Sequence, residues 1–314
     1  MSQTSRDRDD PLAVLIAGRT ASGKSALGLA LADRLDGEII NADSMQVYGD
    51  LRIVTARPSP EEEAQAPHHL YGHVSAETVY STGQWLTDAI SAIKAVQARG
   101  KVPIVLGGTG LYCRSLTEGF VDVPDIPDDI RGATRAEVEE IGPVAAHELL
   151  RDADPDWAAQ VHENDPQRIA RGLEVFRATG RPLSAWQAEP VAAPDLGPVA
   201  KIVLEPDREW LVERIHTRFH LMVEAGAVDE VEALLKLRLA PSLPAMKALG
   251  VPELGGYLAG EMSLDEAIEA AAIKSRQYAK RQSTWFRQQM ISWNKVFAQD
   301  LESQIAKIFS FIDE

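Results

Sequence analysis

A glycine-rich octapeptide near the start of the chain has the residue types and spacing of a phosphate-binding loop. Residues 18–25 (GRTASGKS) fit the pattern G-x-x-x-x-G-K-[ST]. Glycines let the backbone curl so that its amides point at phosphate oxygens, and a following helix adds the positive end of its dipole. Lys24 supplies a positive charge, and the Ser25 hydroxyl can ligate Mg²⁺. The pattern predicts phosphate binding without fixing the reaction, and its predicted contacts are Gly18, Thr20, Ala21, Ser22, Gly23, Lys24 and Ser25.

Two further segments follow apolar runs and carry polar groups. Asp43 comes directly after the run at 38–42 and is a candidate general base or Mg²⁺ ligand, although an aspartate there also suits a helix N-cap. Thr109 lies in the Gly-Gly-Thr-Gly stretch after the run at 102–106. That run ends without the acid that holds Mg²⁺ in many P-loop ATPases, which disfavours an ordinary ATPase. Ligands of doubly wound sheets collect at the carboxyl ends of strands, so we expect both residues near the phosphate loop.

The elements that position these residues alternate between strands and helices. Short apolar runs predict strands at 12–17, 38–42, 102–106 and 201–204, and leucines four apart after the phosphate loop predict an amphipathic helix. A second helix is predicted over 85–97, and the chain after Asp207 has a helical pattern to its end. The pattern indicates an α/β fold with a parallel, P-loop-type sheet core.

A change of amino-acid composition near Gly119 divides the chain. A segment rich in Pro and Asp at 121–130 and a second one rich in Pro and Ala at 189–198 bracket residues with helical patterns and no convincing strand. We therefore predict a first core segment at 10–119, a helical insertion domain at 120–197, and a second core segment at 198–314 that ends in basic helices.

Composition restricts the class of protein. Hydrophobic residues make up 45% and charged residues 25% of the 314 residues, which is typical of folded domains. The single cysteine, Cys113, excludes an intrachain disulfide and a cysteine-rich metal site. Adjacent His68 and His69 lack the spacing of a zinc site, so we expect a structural role. With no signal-peptide pattern and no apolar run near the roughly 20 residues of a membrane span, we expect a cytoplasmic protein that does not enter membranes.

The net charge of −15 argues by itself against nucleic-acid binding, because a polyanion is repelled by an acidic surface. The stretch 270–299, however, contains no Asp or Glu and six basic residues. Such a segment either presents a phosphate-binding face or is an ordinary solvated helix face, and composition leaves both open.

The segments together resemble the tRNA dimethylallyltransferase family, also called isopentenyl-diphosphate:tRNA transferases, over about 12–287. The similarity is carried by GRTASGKS (18–25), NADSMQVY (41–48), TARP (55–58), APHHL (66–70), GGTGLY (107–112), HENDPQRIARGLEVFRATGRPLS (162–184), RIHTRFHLMVEAGAVDEV (214–231) and RQYAKRQSTWFR (276–287).

The resemblance implies transfer of a dimethylallyl group from dimethylallyl diphosphate to the N6 amine of the adenosine 3′ of the anticodon, position 37 of tRNA. It implies that Asp43 is the general base, that Thr109 binds the oxygen between diphosphate and allyl carbon, and that Arg218 holds the diphosphate. Mg²⁺ at Ser25 is the implied cofactor, and a monomer is the implied state. The reacting adenine must leave its stack to reach a buried site.

The same resemblance implies contacts with the tRNA anticodon stem-loop. They comprise Asp43, Ser44, Met45 and Gln46 near the base, Gln167, Arg168, Ile169, Ala170 and Arg171 in the insertion, and Lys247, Lys274, Arg276, Lys280 and Arg281 towards the C-terminus. The chain departs from the family pattern at Arg19, where Pro is usual, at Val54 and Arg57, and at 248–252, where a Tyr and a basic neighbour are missing. The contact assigned to Lys247 rests on the weakest match.

The residues leave three alternatives open. Related enzymes prenylate free adenine nucleotides, but the insertion and the basic segment favour a tRNA acceptor, because a mononucleotide needs neither. A P-loop small-molecule kinase would transfer a phosphoryl group, and a non-catalytic nucleotide- or RNA-binding module would release no diphosphate.

Overall fold

A single parallel sheet organises the part of the chain that the structure describes. The computed structural model describes residues 12–121 and 123–312. Its six strands have the order β3-β2-β4-β1-β5-β6, and every neighbouring pair is parallel. They are β1 Ala13–Gly18, β2 Gly37–Asn41, β3 His68–His69, β4 Val102–Gly107, β5 Val199–Leu204 and β6 Asn294–Val296. The predicted α/β class with a parallel sheet is confirmed.

Helices make up most of the remaining described chain. They are α1 Lys24–Leu35, α2 Pro60–Glu63, α3 Thr82–Ala98, α4 Gly110–Glu118, α5 Asp128–Ile141, α6 Pro143–Ala153, α7 Pro155–Ala158, α8 Pro166–Thr179, α9 Leu183–Gln187, α10 Arg208–Glu224, α11 Ala227–Lys236, α12 Val251–Leu258, α13 Leu264–Gln289 and α14 Leu301–Ile312, with a 3₁₀ turn at Ala245–Lys247. Within the described residues, no helix combines the length and apolarity that a membrane crossing requires.

Both faces of the sheet are buried, which explains why its strands are continuous apolar runs rather than alternating ones. In β1, Val14 and Ile16 pack with Leu27 and Leu31 of α1 and with α14. The intervening Leu15 packs on the opposite face, with residues of α3, α4 and α13. Helices on both faces leave the carboxyl ends of the strands as the open edge where loops can form a site.

The chain divides into two compact units. The larger unit comprises Met1–Thr117 and Pro194–Glu314, and the smaller one comprises Glu118–Ala193. Leu196 packs in the core of the larger unit, and its carbonyl accepts a hydrogen bond from Gln97 Nε2 at 2.9 Å. These contacts place Leu196 with the sheet rather than with the helices of residues 118–193.

The smaller unit has a core of its own, contributed by α5 to α9. Ile169, Leu173 and Val175 of α8 are buried in it. The buried Asp154 carboxylate accepts from the Trp157 amide at 3.0 Å and from the Ser184 hydroxyl at 2.5 Å, which joins the start of α7 to α9. A separate apolar core with internal polar links is what an independent compact unit requires.

Two short strands were not predicted. The expectation of an all-helical chain after Asp207 is wrong, because Asn294–Val296 pairs with β5 as the edge strand β6. Only Val296 of its three residues is buried, so no apolar run marks it. His68 and His69 form β3 beside β2, where His69 Nε2 lies 2.7 Å from Glu38 Oε2 and His68 Nδ1 lies 2.8 Å from the Ala66 carbonyl. Both histidines therefore have structural roles.

Candidate active site

Loops from three neighbouring strands meet around one cavity at the carboxyl edge of the sheet. The phosphate loop follows β1, Asp43 follows β2, and Gly107 ends β4. The cavity has a volume of about 370 Å³. It is lined by Thr20, Ala21, Ser22, Gly23, Lys24, Ser25, Ala26, Asp43, Gln46, Thr55, Ala56, Arg57, Glu62, Tyr71, Leu106, Gly107, Arg214 and Arg218. Asp43 thus shares a cavity with the phosphate loop, although it lies 18 residues after Ser25 in the sequence.

The phosphate loop is curled by two residues in the left-handed region. Gly23 has φ 89° and Ala21 has φ 62°, a conformation that costs a non-glycine residue about 1 kcal/mol. The Ala21 methyl group packs against a small apolar cluster of Leu211, Ile215 and Ala279, which helps to hold it there. Helix α1 begins immediately afterwards at Lys24, so its positive end faces the cavity. Ser22 Oγ is buried without a hydrogen-bond partner in the described chain.

Lys24 bends back over the loop. Its Nζ donates to the carbonyls of Gly18 at 2.9 Å and Arg19 at 2.8 Å, so one of its three hydrogens remains for a ligand. Burial lowers the pKa of Lys24 to about 8, an effect that the nearby Asp43 carboxylate opposes and the Arg218 guanidinium reinforces. A bound anion would relieve this cost by restoring a favourable partner for the ammonium.

Arg218 reaches the same cavity from α10. Its Nη2 donates to Thr20 Oγ1 at 2.5 Å, while its Nε is buried without a hydrogen-bond partner in the described chain. Burial lowers its pKa to about 10, partly offset by Asp43. A buried guanidinium with an unused donor is costly unless an anion completes its hydrogen bonds. The arrangement therefore favours a phosphate-bearing ligand.

Asp43 lies in a turn that Asn41 shapes. The Asn41 side chain donates from Nδ2 to the Asp43 carbonyl at 3.0 Å and accepts from the Asp43 amide at 2.8 Å. Asp43 Oδ1 accepts from the Met45 amide at 3.0 Å. No helix starts here, so Asp43 caps a turn and is not a helix N-cap. Its second oxygen makes no hydrogen bond within the described chain, which leaves it available in the cavity.

Thr109 connects the loop after β4 to the turn after β2. Its Oγ1 accepts from the Ser44 amide at 2.9 Å and donates to Ser44 Oγ at 3.2 Å. Of the predicted group at 43–46, Asp43 and Gln46 line the cavity, whereas Ser44 binds Thr109 and Met45 packs against an apolar cluster. In this structure Thr109 therefore positions Ser44 directly.

Sequence reasoning missed Gln282, which joins two of the loops. Its Oε1 accepts from the Thr20 amide at 2.9 Å, and its Nε2 donates to the Gly108 carbonyl at 2.8 Å. A Cβ atom at Gly108 would lie 2.4 Å from Gln282 Nε2, so a larger residue there would displace the Gln282 carboxamide. Gln282 lies within the family segment at 276–287, but that segment does not reveal its partners, which are more than 170 residues away in sequence.

We expect Gln282→Ala to loosen the phosphate loop and destabilise the fold. The Thr20 amide and the Gly108 carbonyl would both lose a buried partner, at a cost of about 2 to 4 kcal/mol in the free energy of unfolding. The melting temperature measures the change in stability, and the affinity for diphosphate measures the effect on the phosphate loop. The matched control is Gln288→Ala on the exposed side of the same helix. Equal melting temperatures for the two variants would contradict the assignment.

Two further arginines at the cavity were not predicted. Arg214 donates from Nε to the Ala21 carbonyl at 3.1 Å. Arg57 donates to the Tyr48 carbonyl at 3.1 Å, and its Nε is buried without a partner in the described chain. Arg57 occupies the place of a family lysine, which is the signal that could have identified it. With Lys24 and Arg218, they make the cavity strongly cationic despite the net charge of the chain.

The predicted RNA contacts towards the C-terminus differ in their surroundings. Lys274 Nζ lies 2.5 Å from Glu253 Oε1, and Arg276 pairs with Glu269 at 2.9 Å. Lys280 and Arg281 are exposed on α13, and neither has an acidic partner in the described chain, while Lys247 is exposed in the 3₁₀ turn. Lys280 and Arg281 are therefore the basic residues of this group best suited to hold a phosphate.

In the smaller unit, α8 carries the other predicted contacts. Gln167 and Arg168 are exposed, with Arg168 stacked 4.7 Å above the Trp157 ring, and Arg171 lies 3.7 Å from Glu174. Ile169 is fully buried and Ala170 is 5% exposed. The helix turns both side chains into the core of the smaller unit, and the contact of these two residues with RNA stays a prediction.

A phosphate-binding loop on a parallel sheet, with a carboxylate and a buried arginine in the same cavity, defines an α/β protein of the P-loop class. A sequence profile of the IPP transferase family matches residues 46–289. The chain belongs to this family, and the resemblance drawn from its motifs is confirmed.

Curated relatives and solved structures agree with this placement. The chain is 56% identical over 302 residues to the tRNA dimethylallyltransferase of Parvibaculum lavamentivorans, which covers 96% of each chain. It is 53% identical to that of Azorhizobium caulinodans, over 90% of this chain and 91% of the relative. The crystal structure of a tRNA isopentenylpyrophosphate transferase from Staphylococcus epidermidis has a TM-score of 0.67 at 32% identity, covering 96% and 98%. A eukaryotic dimethylallyltransferase acting on tRNA has a TM-score of 0.78 at 30% identity, covering 93% and 75%.

Proposed function

We propose that this chain transfers the dimethylallyl group of dimethylallyl diphosphate to the N6 amine of adenosine 37 in tRNA and releases diphosphate. The observation that carries the proposal is the Asp43 carboxylate in the cavity formed by the phosphate loop and Arg218. A prenyl transfer of this kind needs an anion-binding cradle for the leaving group and a base for the attacking amine. The identity with tRNA dimethylallyltransferases over nearly the whole chain supports the same reaction.

The donor binds through its diphosphate. Residues 20–25 of the phosphate loop line the cavity together with Arg218. Lys24 has one hydrogen that is not bonded to the chain, and the Nε of Arg218 has no partner in the described residues. These groups are fixed before the reaction, so they stabilise the charge that grows on the departing diphosphate without reorganising. Thr109 can donate to the oxygen that joins diphosphate and allyl carbon only if it releases its 3.2 Å hydrogen bond to Ser44 Oγ.

The acceptor amine is deprotonated by Asp43 as its nitrogen attacks the allyl carbon. The carbon–oxygen bond to diphosphate breaks, and the proton passes to the carboxylate. Asp43 is held by the Met45 amide on one oxygen, so the other oxygen can face the amine. No phosphoryl group moves, which agrees with the absence of an acid at the end of β4 in the sequence.

Mg²⁺ is the proposed cofactor. Ser25 and Glu62 line the cavity, and their hydroxyl and carboxylate offer oxygen atoms, the ligand type that Mg²⁺ prefers. No cluster of three or more His, Cys, Asp or Glu side chains suited to a metal occurs in the described residues. This fits an ion held by one or two protein oxygens together with the diphosphate of the substrate. When bound, Mg²⁺ supplies positive charge to the leaving group.

The tRNA partner is proposed to contact both compact units. Gln167, Arg168 and Arg171 of α8 contribute from the smaller unit, and Lys280 and Arg281 of α13 contribute from the larger one. Such contacts to phosphates fix the register of the RNA and make binding depend on salt. We propose a monomer that acts in the cytoplasm, where its tRNA substrate is found.

One assay tests the function. The protein is incubated with Mg²⁺, dimethylallyl diphosphate and unmodified tRNA, and the nucleosides are identified by mass after digestion. Prenylated adenosine at position 37 is the expected product. Its absence would reject the proposal, prenylated AMP without prenylated tRNA would identify a free-nucleotide enzyme, and phosphoryl transfer from ATP would identify a kinase. A tRNA with guanosine at position 37 is the matched substrate control.

A further inference from the structure

A carboxylate outside the cavity organises one of the loops that line it. Glu230, in the first turn of α11, accepts hydrogen bonds from three successive backbone amides. The bonds come from Arg52 at 2.7 Å, from Ile53 at 2.8 Å and from Val54 at 2.9 Å. A carboxylate bound by several amides is held in one place, and so is the turn that donates to it. Glu230 itself does not line the cavity.

The turn bound by Glu230 leads directly into the cavity wall. Thr55 and Ala56 follow it, and both line the cavity. Ala56 has φ 52°, a left-handed conformation that a non-glycine residue does not adopt without support from its surroundings. The Ala56 amide donates to the Ile53 carbonyl at 2.9 Å, which closes the turn on the segment that Glu230 holds. The conformation of 55–56 therefore depends on the anchored turn.

Both carbonyls of this segment bind Gln46. The Gln46 Nε2 donates to Thr55 O at 2.9 Å and to Ala56 O at 2.8 Å, which uses both hydrogens of the amide. This pairing fixes which end of the carboxamide is nitrogen. Within the described chain no hydrogen bond involves Gln46 Oε1, so this oxygen is an unused acceptor on a residue that lines the cavity beside Asp43.

From this chain of contacts we infer that Glu230 is a positioning residue for the acceptor nucleobase. Through the turn at 52–54 and the carbonyls of Thr55 and Ala56, it orients the Gln46 carboxamide so that Oε1 accepts a hydrogen bond from the purine. The exocyclic amine of adenine has two N–H donors, one for Asp43 and one for Gln46. Guanine presents a carbonyl oxygen at the same position, which an acceptor oxygen repels. This inference rests on the proposed function.

The test is a double-mutant cycle between Glu230 and Gln46. Glu230→Ala lowers kcat/KM for tRNA by about tenfold to a hundredfold, because a misplaced contact at the reacting group has an effect of that size. The KM for dimethylallyl diphosphate stays within about twofold of the wild type, since the phosphate loop is untouched. In the Gln46→Ala background, Glu230→Ala lowers kcat/KM by less than about twofold, because coupled residues are not additive. Glu230→Gln keeps one acceptor oxygen and gives an intermediate value.

The matched control is Asp229→Ala, which removes a neighbouring carboxylate that is exposed in the same helical turn. Its kinetic constants equal those of the wild type. Melting temperatures are recorded for every variant. A general loss of folding would reduce kcat/KM for tRNA and for dimethylallyl diphosphate alike, and by the same factor in the wild type and in Gln46→Ala. Additive effects of Glu230→Ala and Gln46→Ala would overturn the inference. If the wild type makes no prenylated tRNA, the proposed function fails; if the wild type is active and Glu230→Ala matches it, only the positioning role fails.

Discussion

Asp43→Asn is expected to reduce kcat by about 10²- to 10⁴-fold, the range typical for loss of a general base. The substitution keeps the shape of the side chain and an oxygen that can accept from the Met45 amide, so the turn after β2 is preserved. It removes the negative charge that acts on Lys24 and Arg218. Diphosphate binding is therefore undiminished while turnover is lost. Single-turnover prenylation of tRNA and a separate titration with dimethylallyl diphosphate measure the two effects.

Asp50→Asn provides the matched control, because Asp50 caps the Ala76 amide at 2.8 Å and does not line the cavity. Its kcat equals that of the wild type. A kcat of Asp43→Asn within about threefold of the wild type would show that another group takes the proton.

Lys24→Met is expected to lower kcat/KM for dimethylallyl diphosphate by about 10²- to 10³-fold, because it removes a preorganised charge from the leaving-group site. The methionine retains most of the aliphatic stem, so packing under the loop is preserved, whereas the hydrogen bonds to the Gly18 and Arg19 carbonyls are lost. The KM for tRNA changes little. Steady-state kinetics with each substrate varied in turn gives the constants for dimethylallyl diphosphate and for tRNA separately. An equal rise in both KM values would contradict a role of Lys24 confined to the diphosphate.

The lowered pKa of Lys24 adds a pH signature to this prediction. The ammonium of the free protein loses its proton near pH 8, and a bound diphosphate raises the pKa again, so binding is linked to proton uptake. The dissociation constant for dimethylallyl diphosphate therefore rises as the pH increases above about 8, by at most about tenfold per pH unit for one proton. Arg218 and Cys113 titrate at higher pH, with pKa values of about 10 and about 12. Lys24→Met gives a flat profile from pH 7 to 9.

Local sequence patterns were sufficient for the phosphate loop and the central strands. Gly23, Lys24 and Ser25 line the cavity that the pattern predicts, and the apolar runs of β1 and β4 reveal strands that are buried on both faces. Asp43 could be placed near them because parallel strands end at one edge of the sheet. Arg218 lies 175 residues after Asp43, and only the family resemblance placed it in the site.

The supporting residues could not be predicted because their partners are distant in sequence. Gln282 and Glu230 bind backbone atoms of loops more than 170 residues away, and polar residues in helices have no pattern that reveals such partners. The same limit explains why Lys274 was predicted to contact RNA. Its acidic partner Glu253 lies outside the acid-free stretch that defined the basic segment. It also explains why the buried residues Ile169 and Ala170 were included among the predicted RNA contacts, since a motif does not tell which face of a helix is buried.

The burial of Cys113 has a practical consequence. The chain has no other cysteine, and the Cys113 side chain is 1% exposed, with burial raising its pKa to about 12. Near neutral pH this sulfur is protonated and shielded, whereas thiol-directed dyes react with accessible thiolates. A cysteine introduced on the surface of either compact unit can therefore carry a fluorophore without removal of the native residue. The fluorescence of that label can then report tRNA binding in a protein that keeps its native cysteine.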